Sequence, residues 1–82
     1  MKMPNYNRFR QDALKHAFNN GGYILRGWSV YQVFYGVNVG YYCDKIYTKP
    51  RPSVPLANRG HWHAMDAKGV NNLLGVELLN EN

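Results

Sequence analysis

Between Tyr23 and Thr48 the chain is built largely from Tyr, Val, Ile, Phe and Trp, and the segment Gly36-Val37-Asn38-Val39-Gly40 interrupts it. β-Branched and aromatic side chains lose rotamer freedom against the preceding turn of a helix but fit a pleated surface. The stretch therefore reads as strands, and the glycine-bounded segment marks where they reverse. The spacing predicts a hairpin with Trp28 to Tyr35 paired against Tyr41 to Thr48. Tyr23-Ile24-Leu25, ahead of Gly27, is either a separate short strand or the beginning of the first hairpin strand. Alternation is poor. In an unbroken pleat Tyr41, Cys43 and Tyr47 share one face, and Tyr42 and Ile46 share the other. Apolar residues thus lie on both faces, so either both are covered or one presents aromatics to a partner.

The segments that flank this region read as its cover. From Tyr6 to Phe18, Phe9, Ala13, Leu14, Ala17 and Phe18 fall on one helical arc that includes Tyr6. Arg8, Gln11, Asp12, Lys15 and His16 fall opposite, which is the 3.6-residue period of an amphipathic helix. Arg10 is discordant, lying inside the apolar arc. Asn5 or Asn7 would cap the start, and Asn19-Asn20-Gly21-Gly22 would end the helix in residues that tolerate left-handed backbone. Beyond the hairpin, Pro50-Arg51-Pro52-Ser53-Val54-Pro55 excludes a regular helix and a central strand. Leu56 to His63 is ambiguous, with room for a short strand around Trp62. Ala64 to Leu74 reads as a second helix, with Asp66 as N-cap, Gly75 as stop and Ala67, Val70, Leu73 and Leu74 as its apolar side. Gly69 inside it costs about 1 kcal/mol relative to alanine. Val76-Glu77-Leu78-Leu79 suggests an edge strand. The expectation is one α+β domain over residues 1–82, frayed at 1–5 and 80–82. It comprises an N-terminal helix, an antiparallel aromatic β-hairpin or three-stranded sheet, and a short C-terminal helix.

Length and charge bound what such a domain does. Eighty-two residues suffice for one core and not two, and a domain of this size buries only about 60% of its unfolded surface. No apolar run reaches the ~18 residues that span a bilayer. Met1 to Arg10 is polar and has no secretory apolar region. Cys43 is the chain's single cysteine, so it makes no internal disulfide, which suits a reducing, cytoplasmic setting with no membrane partner. Ten Lys and Arg against five Asp and Glu leave a net charge of +5. That charge draws the chain towards nucleic acid, anionic lipid or an acidic protein surface, without choosing among them. The cations are spread along the chain, which points to a folded basic face rather than a tail.

Five constellations bear on chemistry. Lys45, Lys49, Arg51 and Arg59 lie around the proline-rich connection, with Tyr41, Tyr42, Tyr47 and Trp62 flanking it. Cations beside aromatics grip a phosphate backbone while rings stack on bases, although no signature of a named nucleic-acid module is present. Lys49 to Pro55 places Pro52 and Pro55 at PxxP spacing, a short pattern better read as a connector. His61 and His63 are two apart, so a strand would turn both to one side. A metal site would need more ligands from Cys43, His16 or Asp66, so no metal or cofactor is expected. Cys43, between tyrosines, reads as a small buried apolar residue rather than a nucleophile. Twelve aromatics, seven of them tyrosine, exceed what so small a core can hold, and tyrosine is enriched at interfaces. Tyr31, Tyr35, Tyr42 and Tyr47 are therefore interface candidates.

The reading is a non-enzymatic basic binding module. Its expected contact is nucleic acid or another anionic surface, through Lys45, Lys49, Arg51, Arg59, Tyr35, Tyr42, Tyr47 and Trp62. The alternative is a protein-binding regulator or inhibitor, such as a phage-type accessory protein of a mobile element acting on a host protein. Surplus tyrosine and the expected edge at Val76 to Leu79 also point to a homodimer.

Overall fold

The computed structural model describes residues 9–50, 55–58 and 60–80. Six elements follow in order: α1 (Gln11–Asn19), β1 (Tyr23–Arg26), β2 (Ser29–Gly36), β3 (Gly40–Thr48), β4 (His63–Met65) and α2 (Ala67–Leu74). The strands form one sheet in the order β3-β2-β1-β4, with every neighbouring pair antiparallel. The α+β architecture is the one the sequence implies, with a fourth strand added at the β1 edge. Among the described residues no helix is long and apolar enough to cross a membrane.

Helix α1 starts later than its periodicity suggests. Arg10 is its N-cap, in extended backbone with φ −72° and ψ 150°. The residue that broke the apolar arc therefore lies outside the helix. Phe9, also outside it, is still buried and meets Tyr31 edge-on at 5.2 Å. The suggested caps Asn5 and Asn7 lie outside the described residues, as do 1–5 and 81–82 of the segments expected to fray.

At its other end α1 leaves through Gly21 and Gly22, both at positive φ. A Cβ on Gly21 would stand 2.4 Å from the Asp66 Cα, so only glycine lets the α1 exit pass the junction of β4 and α2. Asp66 caps α2 as expected, its side chain accepting from the Gly69 N–H at 2.8 Å. Ala64 and Met65 belong to β4 instead of that helix, and their strand pairs Tyr23 with Met65 and Ile24 with Ala64. Leu73, expected on the apolar side of α2, is exposed.

Both sheet faces are covered near β1. On one, α1 lays Leu14 and Ala17 against Ile24, Tyr31, Val33 and Cys43, with Tyr41, Trp62 and Ala64 at the margin. On the other, Leu25 and Val30 meet Ala57 and Val70, with Tyr23, Ile46, Tyr47 and Leu79 packed around them. Tyr31 is 4% exposed and so belongs to the core, which removes it from the interface candidates.

Two further expectations are corrected. Tyr47 does not share a face with Tyr41 and Cys43. The register slips between Val30↔Tyr47 and Tyr31↔Lys45, leaving Ile46 as an extra residue in β3. This bulge reverses the pleat, so Ile46 and Tyr47 both pack on the α2 side. Val76 to Leu79 forms no strand. The Asn71 side chain takes its backbone groups, accepting from Leu78 and Leu79 N–H at 2.9 Å each and donating to the Leu79 carbonyl at 2.7 Å. The segment folds back on α2, and the Leu78 and Leu79 groups so engaged are not open to a ladder.

Candidate functional site

The far end of the β2–β3 hairpin is where the sequence leaves apolar groups that the two cores do not absorb. Its last rungs are Phe34↔Tyr42, Tyr35↔Tyr41 and Gly36↔Gly40. On the α1 side three rings form a row. Phe18 lies 5.5 Å from Tyr41, and Tyr41 lies 4.8 Å from Tyr35. The Tyr41 N–H and C=O both bond the Gln11 side chain, at 3.0 and 2.8 Å, so they point away from β2. Tyr35↔Tyr41 is thus a non-hydrogen-bonded rung, the kind in which opposed side chains approach most closely.

On the other face Phe34 and Tyr42 stack at 5.4 Å with 26° between their planes. The turn carries two exposed valines flanking Asn38, with Val37 88% exposed and Val39 42%, beside Tyr35 at 54% and Phe18 at 43%. Gly36 permits this closure, since a Cβ there would fall 2.8 Å from a Val39 methyl and 3.4 Å from the Tyr42 ring. The hairpin end therefore carries aromatics on both faces and valines at its tip.

Of the expected basic rim, Lys45 and Lys49 are among the described residues. Lys45 lies on the α1 face with its Nζ 6.0 Å from the Tyr31 ring centroid. Arg26 lies on the same face, over Phe9 at 5.4 Å. Phe9 and Tyr31 are buried, so these cations rest on rings that have no face left for a ligand. Lys49 is exposed just past β3, its backbone N–H held by the Trp28 carbonyl at 2.9 Å. Tyr47 is half-buried on the opposite face. Trp62 packs on the α1 side just before β4, which forms the other edge of the sheet from β3, and lies 5.6 Å from His16. Arg51 and Arg59 lie outside the described residues. Of the expected contact residues that are described, Tyr35 and Tyr42 both lie at the hairpin end, on opposite faces of it. Phe18, Phe34, Val37 and Val39 join them. Their signal in the sequence was the turn: two valines between glycines, where turns ordinarily carry polar residues.

The remaining chemistry is sparse. His61 and His63 are exposed, and among the described residues no three His, Cys, Asp or Glu side chains gather as metal ligands would. Cys43 is fully buried, and burial, with the Asp44 charge adding to it, pushes its thiol up to about 11. Arg10, Asp12, Ala13, His16 and Trp62 line a shallow groove of about 370 Å³, where Arg10 and Asp12 pair at 3.6 Å.

This arrangement defines a small α+β domain with a helix on each face of an antiparallel sheet and an aromatic hairpin end. Compared with known proteins, the chain matches no protein family, and no curated protein or solved structure matches it.

Proposed function

We propose that this chain is a non-enzymatic binding module, that the hairpin end is its contact surface, and that its partner is a protein. The observation that carries this reading is the cluster of Tyr35, Tyr41, Phe18, Phe34 and Tyr42 around an exposed Val37–Val39 tip. Exposed tyrosines beside apolar groups give large contact area, a hydrogen-bonding tip and little rotamer entropy to lose, which is the composition of interface hot spots. The buried, protonated Cys43 supports a non-catalytic role, since the thiolate is the nucleophile. The net charge of +5 favours a partner whose apolar contact is ringed by acidic groups, as in a regulator or inhibitor of a larger protein.

The second reading is contact with nucleic acid, favoured by the same charge and by exposed Lys45 and Lys49 at the end of β3. The two readings separate in one capture experiment. The wild type, a Tyr35→Ala/Tyr42→Ala variant and a Lys45→Glu/Lys49→Glu variant serve as baits in cell lysate, with and without nuclease, at low and high salt. A protein retained after nuclease and high salt, and lost with the tyrosine variant, supports the proposal. Capture that needs nucleic acid, falls steeply with salt and is lost only with the charge-reversed variant overturns it in favour of the second reading.

A further inference from the structure

The same hairpin carries an edge, and α1 closes one end of it. Strand β3 is outermost in the sheet and runs nine residues. Its stretch Tyr41-Tyr42-Cys43-Asp44-Lys45-Ile46-Tyr47 combines aromatic and β-branched residues with cancelling charges and has no proline. That is the composition of segments that stack strand on strand between chains. An outer strand of this kind is antiparallel-complementary to itself, so a second copy of the chain is its first hazard.

We infer that Gln11 is an edge guard that keeps this chain from pairing through β3 with a second copy of itself. Its primary amide presents one donor and one acceptor in the orientation of a peptide group. Nε2 donates to the Tyr41 carbonyl at 2.8 Å, and Oε1 accepts from the Tyr41 N–H at 3.0 Å. Those are the two outward backbone groups a pairing strand would take at this position, so Gln11 fills one rung of the missing strand. Gly40, next to Tyr41, sits at φ 79°, and a Cβ there would fall 2.9 Å from the Gln11 Oε1. The glycine therefore clears the approach of the guard as well as closing the turn.

The other half of β3 has its own break, the bulge at Ile46, which interrupts any regular ladder. At the opposite side of the sheet β4 is only three residues long and is protected by its shortness. Among the described strands, β3 is thus the edge that needs a guard, and the Gln11 amide is placed where the strand begins, before the bulge can act. The hydrogen-bonding ends of Gln11 serve no core packing, since the residue is exposed.

The test compares wild type, Gln11→Ala and Gln11→Glu by sedimentation velocity across a concentration series, with circular dichroism as the check of fold. Infrared spectra report intermolecular sheet. Glutamate keeps the acceptor for the Tyr41 N–H but loses the donor to the Tyr41 carbonyl. The expected order of self-association is wild type, then Gln11→Glu, then Gln11→Ala, with the alanine variant associating at least about tenfold more tightly than wild type. Adding Lys45→Pro, on the outward register of Tyr41 and next to the bulge where proline is tolerated, should return Gln11→Ala to the wild-type state. A folded Gln11→Ala chain that associates no more than wild type overturns the inference. So does association indifferent to Lys45→Pro. If the alanine variant does not fold, Gln11→Glu carries the comparison, and its matching wild type overturns the inference equally.

Discussion

Replacing Asn71 by alanine tests how the C-terminal segment is held. Asn71 is 4% exposed, and its side chain makes three hydrogen bonds to the backbone of Leu78 and Leu79. Each such bond contributes about 1 kcal/mol net, for a gross loss of ~3 kcal/mol. Two effects reduce it. Alanine is the better helix former by roughly 0.6 kcal/mol, which favours α2. The backbone groups released belong to a segment that can swing outward and rehydrate, so they are not stranded in the core. Swinging outward also removes Leu79 from the α2-side core. The expected net destabilisation is about 2 kcal/mol, which for a domain of this size lowers the melting temperature by roughly 8–16 °C. Thermal unfolding measures the magnitude, and amide hydrogen exchange at Leu78 and Leu79 locates it. A variant that melts within about 2 °C of wild type, with those two amides still protected, would refute the reasoning.

Two further outcomes follow from the same geometry. The Cys43 thiol, raised from 9.0 to about 11 by burial and then by Asp44, keeps its proton in the folded chain where the unfolded chain has lost it. Its contribution to stability is full below the unfolded value and is lost as pH rises between the two, by up to about 1.4 kcal/mol per pH unit. Denaturant unfolding of wild type against Cys43→Val over that range should show the extra slope in wild type only, and a thiol reagent should react slowly with the native chain near neutral pH. Gly21→Ala should destabilise far more than Gly22→Ala, by roughly 2–4 kcal/mol against about 1–2. Both glycines have positive φ, but only at Gly21 would the new methyl meet another backbone, while Gly22 has open space. Equal losses in chemical denaturation would show that the Asp66 contact does not matter.

The elements that the sequence announced are those whose causes are local. Asp66 capping α2, Gly75 ending it at φ 73°, and the positive φ of Gly21 and Gly22 at the α1 exit each depend on a residue's own backbone freedom or on a partner three residues away. The Asp66 backbone beside Gly21 is a second constraint, which the sequence did not announce. The misreadings needed information from across the chain. Phe9 continues the helical period but serves the core from a non-helical position, because Tyr31 supplies a ring at 5.2 Å for it to meet. Val76 to Leu79 has the composition of a strand, yet Asn71 competes for its backbone, and one buried amide outweighs the propensity of four residues.

The candidate site was half legible for the same reason. A surplus of tyrosine is visible in composition, but the face that Tyr47 takes depends on where the bulge at Ile46 turns the pleat. Before that bulge, counting from the turn, the strand keeps its alternation and sends Tyr41 and Cys43 towards α1. After it, Tyr47 is carried to the α2 face and becomes half-buried packing. A one-residue slip thus puts Tyr47 on the α2 face, while Tyr35, Tyr41 and Tyr42 lie at the hairpin end. Of these Tyr35 is exposed and Tyr41 and Tyr42 are half-buried, because near the turn neither helix covers its face fully. The bulge that interrupts strand pairing on the β3 edge is therefore also what a count along the sequence misses when it puts Tyr47 on the face of Tyr41. Deleting Ile46 should restore an unbroken edge while leaving Tyr47 opposite Val30 on the α2 face, a change that hydrogen exchange along β3 would locate.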